Sequence, residues 1–120
     1  MTLRVNVYFF DADRTFHWLD EDPPMPRSNS FGAEGWRRAI WGSPKVKALG
    51  LCMLPSLEGT DISAEGPDLD RLEHELDVLR AAVPTLYPDL DEQESIIYRL
   101  DNVDWAISVA RARGGGVSIG

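Results

Sequence analysis

Two stretches in the second half of the chain space their apolar residues by alternating steps of three and four. Leu69, Leu72, Leu76, Leu79 and Val83 form the first, and Ile96, Leu100, Val103, Ile107 and Ala110 the second. That period lines each set along one side of an α-helix, and a helix with one apolar side must bury it. The first helix is expected to end at Pro84, which lacks the backbone N–H a helix interior needs. After a connection over 84–90, two arrangements are open. Either one long helix runs from about 91 to 113, or it breaks at Asp101 or Asn102, where either side chain can cap a new start. Arg111 and Arg113 then stand at the negative end of the helix dipole, and Gly114 supplies a left-handed cap.

The first half offers strands for these helices to cover. Leu3, Val5, Val7 and Phe9 alternate with more polar neighbours, a period-two pattern that reads as a strand. Asp11-Ala12-Asp13-Arg14 carries turn chemistry, and Thr15 to Leu19 reads as a return strand, so residues 3–19 are expected to form a β-hairpin. Residues 20–30 hold three prolines, three acids and two serines and read as a loop, serving either recognition or connection. Ser30 can cap a helix over 31–41, with Phe31, Trp36, Ile40 and Trp41 near one broad face. Gly42 would stop it, and Ser43-Pro44 would start a short helix through Leu49. The apolar run Leu51-Cys52-Met53-Leu54 reads as a buried strand, 55–67 as a loop, and Val117-Ser118-Ile119 as a last short strand.

The expected order is β-β-α-(α)-β-α-α-β. The expected architecture is α+β, or small α/β: a small mixed sheet of about four strands packed with three to four helices in a single domain over residues 1–120. With 120 residues and 43% hydrophobic composition, the chain suits one compact core. No 18-residue apolar run exists, so no membrane span is expected. The opening residues lack the basic-then-apolar layout of a secretory signal, and the lone Cys52 cannot form an internal disulfide. The expected location is the cytoplasm.

Charge is distributed unevenly. The net charge is −8. Residues 27–47 carry five bases against Glu34 alone, while residues 58–104 carry fourteen acids against Arg71, Arg80 and Arg99. Such an acidic half repels nucleic-acid phosphates and attracts basic partners. The tract Trp36-Arg37-Arg38-Ala39-Ile40-Trp41, with Lys45 and Lys47 beyond it, mixes aromatic and basic residues in the manner of single-strand binders. It is short, however, and sits in an acidic molecule. Its expected role is core packing by Trp36 and Ile40, with self-association into a homodimer as the alternative.

The sharpest local motif is the apolar strand Val7-Tyr8-Phe9-Phe10 delivering Asp11-Ala12-Asp13. It resembles the first motif of the haloacid-dehalogenase-like phosphatases. The resemblance implies Asp11 as nucleophile toward phosphorus, Asp13 as acid/base and Mg2+ held by carboxylate oxygens. Leu51 to Ser56 is similar to that family's second motif. Arg14 stands where the family has Gly, and Lys45 and Lys47 precede the second motif rather than follow it. His17 and His74 show no sequence partner for general-base work, Cys52 reads as a buried inert thiol, and Gly114-Gly115-Gly116 follows a helix, the wrong polarity for a phosphate cradle.

The reading favoured by the sequence is a small acidic binding or inhibitory protein, for example of the bacterial toxin-immunity kind. In it a basic protein partner is engaged through Asp68, Asp70, Glu73, Asp77, Asp91, Glu92 and Glu94, with Trp105 as an aromatic anchor. It needs no cofactor and no nucleic acid. The alternatives are a magnesium-dependent enzyme using Asp11 and Asp13, and a non-catalytic homo-oligomeric assembly subunit.

Overall fold

The structure, a computed structural model, describes residues 2–120. It is an α+β fold: a five-stranded sheet with two long helices against one face. The strands are β1 (Thr2–Phe10), β2 (Phe16–Trp18), β3 (Ser30–Ala33), β4 (Ile62–Glu65) and β5 (Gly116–Ile119). Every pairing is antiparallel, so the sheet is not mixed. β1 organises it. Along one edge β1 pairs with β5, which pairs in turn with β4. Along its other edge the start of β1 pairs with β3 and its end with β2.

The expected hairpin forms, with Tyr8 opposite Trp18, Phe9 opposite His17 and Phe10 opposite Phe16. Side chains alternate across a strand, so Leu3, Val5 and Val7 point together to one face, joined by Ile62 and Ala64 of β4 and Val117 and Ile119 of β5, all buried. Helices α3 (Pro67–Leu86) and α4 (Leu90–Arg113) cover that face with both apolar stripes. Leu72, Leu76, Leu79, Ile96, Leu100, Val103 and Ile107 are fully buried, each contributing about 1.5–3 kcal/mol of apolar burial. No helix among the described residues is long and apolar enough to cross a membrane.

Several expectations are corrected. Residues 31–41 are not one helix. Phe31 lies in β3, Gly32 adopts φ of +100°, and a π-helical turn follows over Arg37–Trp41. Pairing with β1 outweighs a helix propensity weakened by Gly32 and Gly35. Leu51–Leu54 is not a strand: after the short helix α1 (Pro44–Lys47), capped by Ser43 as expected, the chain turns into α2 (Met53–Ser56). The cause is Glu75 of α3, whose carboxylate accepts the N–H groups of Cys52, Met53 and Leu54 at 3.1, 2.9 and 3.0 Å. Three consecutive amides converging on one carboxylate cannot also alternate as in a strand. Cys52 is consequently exposed rather than buried.

The region read as a loop, 55–67, contains β4, whose four residues are too few to show a period. Pro84 lies inside the last turn of α3, which runs on to Leu86. The second stripe is one unbroken helix. Asp89 caps its start by accepting the Glu92 N–H at 2.9 Å, and Gly114 closes its end in the left-handed region, as expected. Asn102, fully buried in its middle, accepts the Ser28 N–H at 3.0 Å and donates to the Ser30 carbonyl at 2.9 Å. It ties the entry of β3 to α4 instead of capping a new helix.

Candidate functional site

The helices leave the other face of the sheet uncovered. There β1 presents Arg4, Asn6, Tyr8 and Phe10, with Ser63 and Glu65 on β4 and Phe16 and Trp18 on β2. Phe10, Phe16 and Trp18 are 41%, 46% and 55% exposed, an unusual cost for three adjacent aromatic side chains in a chain this small. They form one cluster about Tyr8. The Tyr8 ring stacks on Phe16 at 5.2 Å, and Phe16 meets Trp18 edge-on at 5.0 Å and Phe10 at 5.9 Å. Cross-strand aromatic pairs of this kind hold one another in place.

Tyr8 lies across β5 at Gly116, and its hydroxyl and that of Ser63 on β4 share a hydrogen bond of 3.2 Å. A Cβ at Gly116 would stand 2.4 Å from that hydroxyl. The last glycine of the triplet is therefore what lets the ring bridge three strands. The result is an aromatic platform at one corner of the sheet, with Glu65 and Arg4 exposed on the same face and in no ion pair among the described residues.

The expected acidic residues are not one patch. Asp70 and Glu73 on α3 bind Arg111 of α4 at 2.5 and 2.9 Å, and Asp68 pairs with Arg71 at 3.3 Å. Asp77 pairs with Arg80, which also reaches Asp101 at 3.1 Å and Asp104. Arginines of the same helix pair thus neutralise much of this face, and the hydrogen bonds that Arg111 donates to Glu73 and Asp70 hold its guanidinium still more firmly protonated than usual. Asp91, Glu92 and Glu94 lie at the opposite end of the antiparallel helix pair. At 1.5 Å per residue they stand about 25 Å along α3 from Asp70. They are exposed and form no ion pair among the described residues. Trp105 is half-buried on the other flank of α4, against the loop after β2.

Asp11 and Asp13 sit at the hairpin turn. Asp11 Oδ1 accepts the N–H groups of Asp13 and Thr15 at 2.9 and 3.0 Å, and Asp11 Oδ2 meets His17 Nε2 at 2.8 Å. The His17 hydrogen bond, then that from Thr15, lowers the Asp11 pKa below the ordinary carboxylate value. This is an Asx-type turn that lets Arg14 take φ of +64°. A magnesium ion, which demands octahedral oxygen ligands, would have to displace these bonds. No group of three or more His, Cys, Asp or Glu side chains among the described residues is placed to hold a metal ion.

Trp41 is fully buried, stacked on Phe31 at 4.0 Å with its indole N–H donating to the Phe31 carbonyl. Trp36 and Ile40 pack partly buried against the core, and Arg38 is exposed, but Arg37 is not a solvated side chain: it is largely buried, pairs with Glu34 and Asp61 and donates to the Leu57 and Thr60 carbonyls. His74 is exposed on α3.

The sequence reading missed Phe10, Phe16 and Trp18 as a site. A signal was present: from Tyr8 onward β1 is aromatic in both phases of its alternation, and β2 repeats the aromatic phase at 16 and 18. A hairpin apolar on both faces cannot bury both against one helix layer. No protein-family model, curated protein or solved structure matches the chain.

Proposed function

We propose that the chain is a non-catalytic binding protein of the cytoplasm that engages a basic macromolecular partner over the uncovered face of its sheet. The observation that carries this reading is the cluster of Phe10, Phe16 and Trp18, exposed together on one strand pair. Binding energy concentrates in a few aromatic anchors surrounded by a polar rim, and here Arg4, Asn6, Ser63 and Glu65 supply exposed polar neighbours on the same sheet face. The net charge of −8 favours encounter with a basic partner. An inhibitor of the toxin-immunity kind, which masks a basic cleft, is a concrete form of this function. The paired acids of α3 then tune the long-range field, while the aromatic hairpin supplies the contact.

The test is capture of partners from a lysate of the source organism at low and moderate salt. The native chain is run beside Phe16→Ser/Trp18→Ser and beside Asp70→Lys/Glu73→Lys/Asp77→Lys. The proposal expects a basic protein held by the native chain and lost by the aromatic variant, with a smaller, salt-dependent loss in the charge-reversed one. Retention unchanged in the aromatic variant would contradict it.

A further inference from the structure

The sheet ends on one side in β2, which pairs with β1 alone. In an antiparallel pair each residue directs both backbone groups to one edge, and successive residues alternate. Between β1 and β2 the Leu19 N–H donates to the Val7 carbonyl at 2.8 Å, and the Asp11 N–H to the Thr15 carbonyl at 3.1 Å. Residues 15, 17 and 19 therefore direct their backbone groups to β1, with His17 opposite Phe9. Phe16 and Trp18 direct theirs outward. No backbone partner among the described residues takes these two N–H groups and two carbonyls. The residues with the open backbone are also two of the exposed aromatics of the platform.

Lysine and proline are usual guards of a free edge, and Phe16-His17-Trp18 contains neither. Asp13 stands three residues before Phe16 and Asp20 two after Trp18, each within about 11 Å of this edge at full chain extension. Both are exposed and in no ion pair among the described residues, whereas Glu21 is held by Arg113 at 2.9 Å. The sheet's other free edge is β4. Arg4 exchanges both of its bonds with Gly120, so Val117 and Ile119 face β4 and leave Ser63 and Glu65 outward by the same rule. That edge has no exposed aromatic side chain. Arg37 stands at its approach, bound to Asp61 at 2.6 Å and to the Thr60 carbonyl at 3.0 Å. A basic segment is therefore drawn to β2 rather than to β4.

We propose that β2 takes a short extended segment of the basic partner as an added antiparallel strand. Its backbone bonds the open groups of Phe16 and Trp18, and the side chains opposite them join the aromatic face. Its flanking cations meet Asp13 and Asp20. The inference rests on the proposed function and names how the partner is held. The three residues of β2 limit the segment to the open groups of Phe16 and Trp18. The added strand therefore sets register, and the aromatic side chains supply most of the affinity.

The probe is acetyl-Lys-Val-Lys-Val-Lys-amide, added to the 15N-labelled chain. Beside it run the same peptide N-methylated at its three central residues and its Glu-Val-Glu-Val-Glu counterpart. Expected are saturable shifts and slowed hydrogen exchange at the Phe16 and Trp18 amides with the lysine peptide alone, at a dissociation constant of about 1 mM for so small a ligand. Asp13→Asn/Asp20→Asn, at two exposed positions, should weaken it by about three-fold. An equal response to the N-methylated peptide would mean side-chain contact without an added strand and would overturn the inference. So would an equal response to the glutamate peptide, silence at both amides, or a response moved to Ser63 and Glu65. Failure here is separable from failure of the proposed function. Capture that needs Phe16 and Trp18 while their amides stay silent to the peptide overturns only the added strand. Amide protection by the lysine peptide, with capture indifferent to Phe16→Ser/Trp18→Ser, supports the edge and contradicts the sheet-face reading.

Discussion

At the scale of single residues, two carboxylates show how little the bare count of acids says. Glu75 is 8% exposed and accepts three backbone N–H groups that open α2. Removing it strands those donors. Glu75→Ala is therefore expected to cost about 1–3 kcal/mol, the penalty for leaving the buried Leu54 amide and two part-buried neighbours without a partner, read as a lower midpoint in urea unfolding. Asp11 holds the hairpin turn, and its pKa is lowered by His17 first and by the Thr15 and Asp13 amides as well. A group whose folded pKa is depressed contributes stability above its unfolded value and loses it as pH falls through the folded one. The Thr15 and Asp13 amide resonances should therefore titrate with a midpoint below 3.8, the ordinary value for an Asp. A midpoint at or above 3.8 would mean that the turn bonds do not form in solution. Asp11→Asn keeps the Oδ1 acceptor, so the hairpin is expected to stay closed. Loss of a magnesium-dependent phosphatase activity in that variant would instead favour the enzyme reading.

At the scale of elements, the sheet depends on close approach at one point. Gly116 leaves room for Tyr8 to reach Ser63, and an added Cβ meets the Tyr8 hydroxyl, its Cζ at 2.5 Å and the Ala64 carbonyl at 2.6 Å. Gly116→Ala is expected to cost about 1–3 kcal/mol by overpacking and to raise the solvent exposure of Phe16, which rests on Tyr8. A thermal unfolding curve and near-ultraviolet circular dichroism would read the two effects separately. The elements differ in how legible they were. α3, α4, the hairpin and β5 follow from local signals: long stripes of period 3.6, alternation, and a left-handed Gly114. The middle third does not. β3 exists because Thr2 and Arg4 offer it an edge, and α2 because Glu75, more than twenty residues away, gathers its amides. Both causes are tertiary, and no window of local sequence contains them. Asn102 is similar: its capping chemistry was visible, but its use to pin Ser28 and Ser30 needed the loop to be brought beside α4.

At the scale of the whole molecule, one layer of helices on one face of a sheet leaves the other face to water or to a partner. The acidic surplus was legible in the sequence, but its geometry was not. Arg80 and Arg111 tie the acids of α3 to α4, while the unpaired acids are distributed between the hairpin side and the start of α4. The aromatic cluster is the feature that composition alone could not place, because Tyr8 and Phe10 face away from the residues that share their strand's buried phase. The proposed binding role of the uncovered sheet face rests on these facts together.

The most direct measurement is hydroxyl-radical footprinting of the native chain, free and saturated with the basic partner retained in capture. Oxidation of Phe10, Phe16 and Trp18 is expected to fall several-fold on binding, while buried Trp41 is unchanged. Full reactivity of those three residues in the complex, with protection confined to the outer surface of α3 and α4, would contradict it.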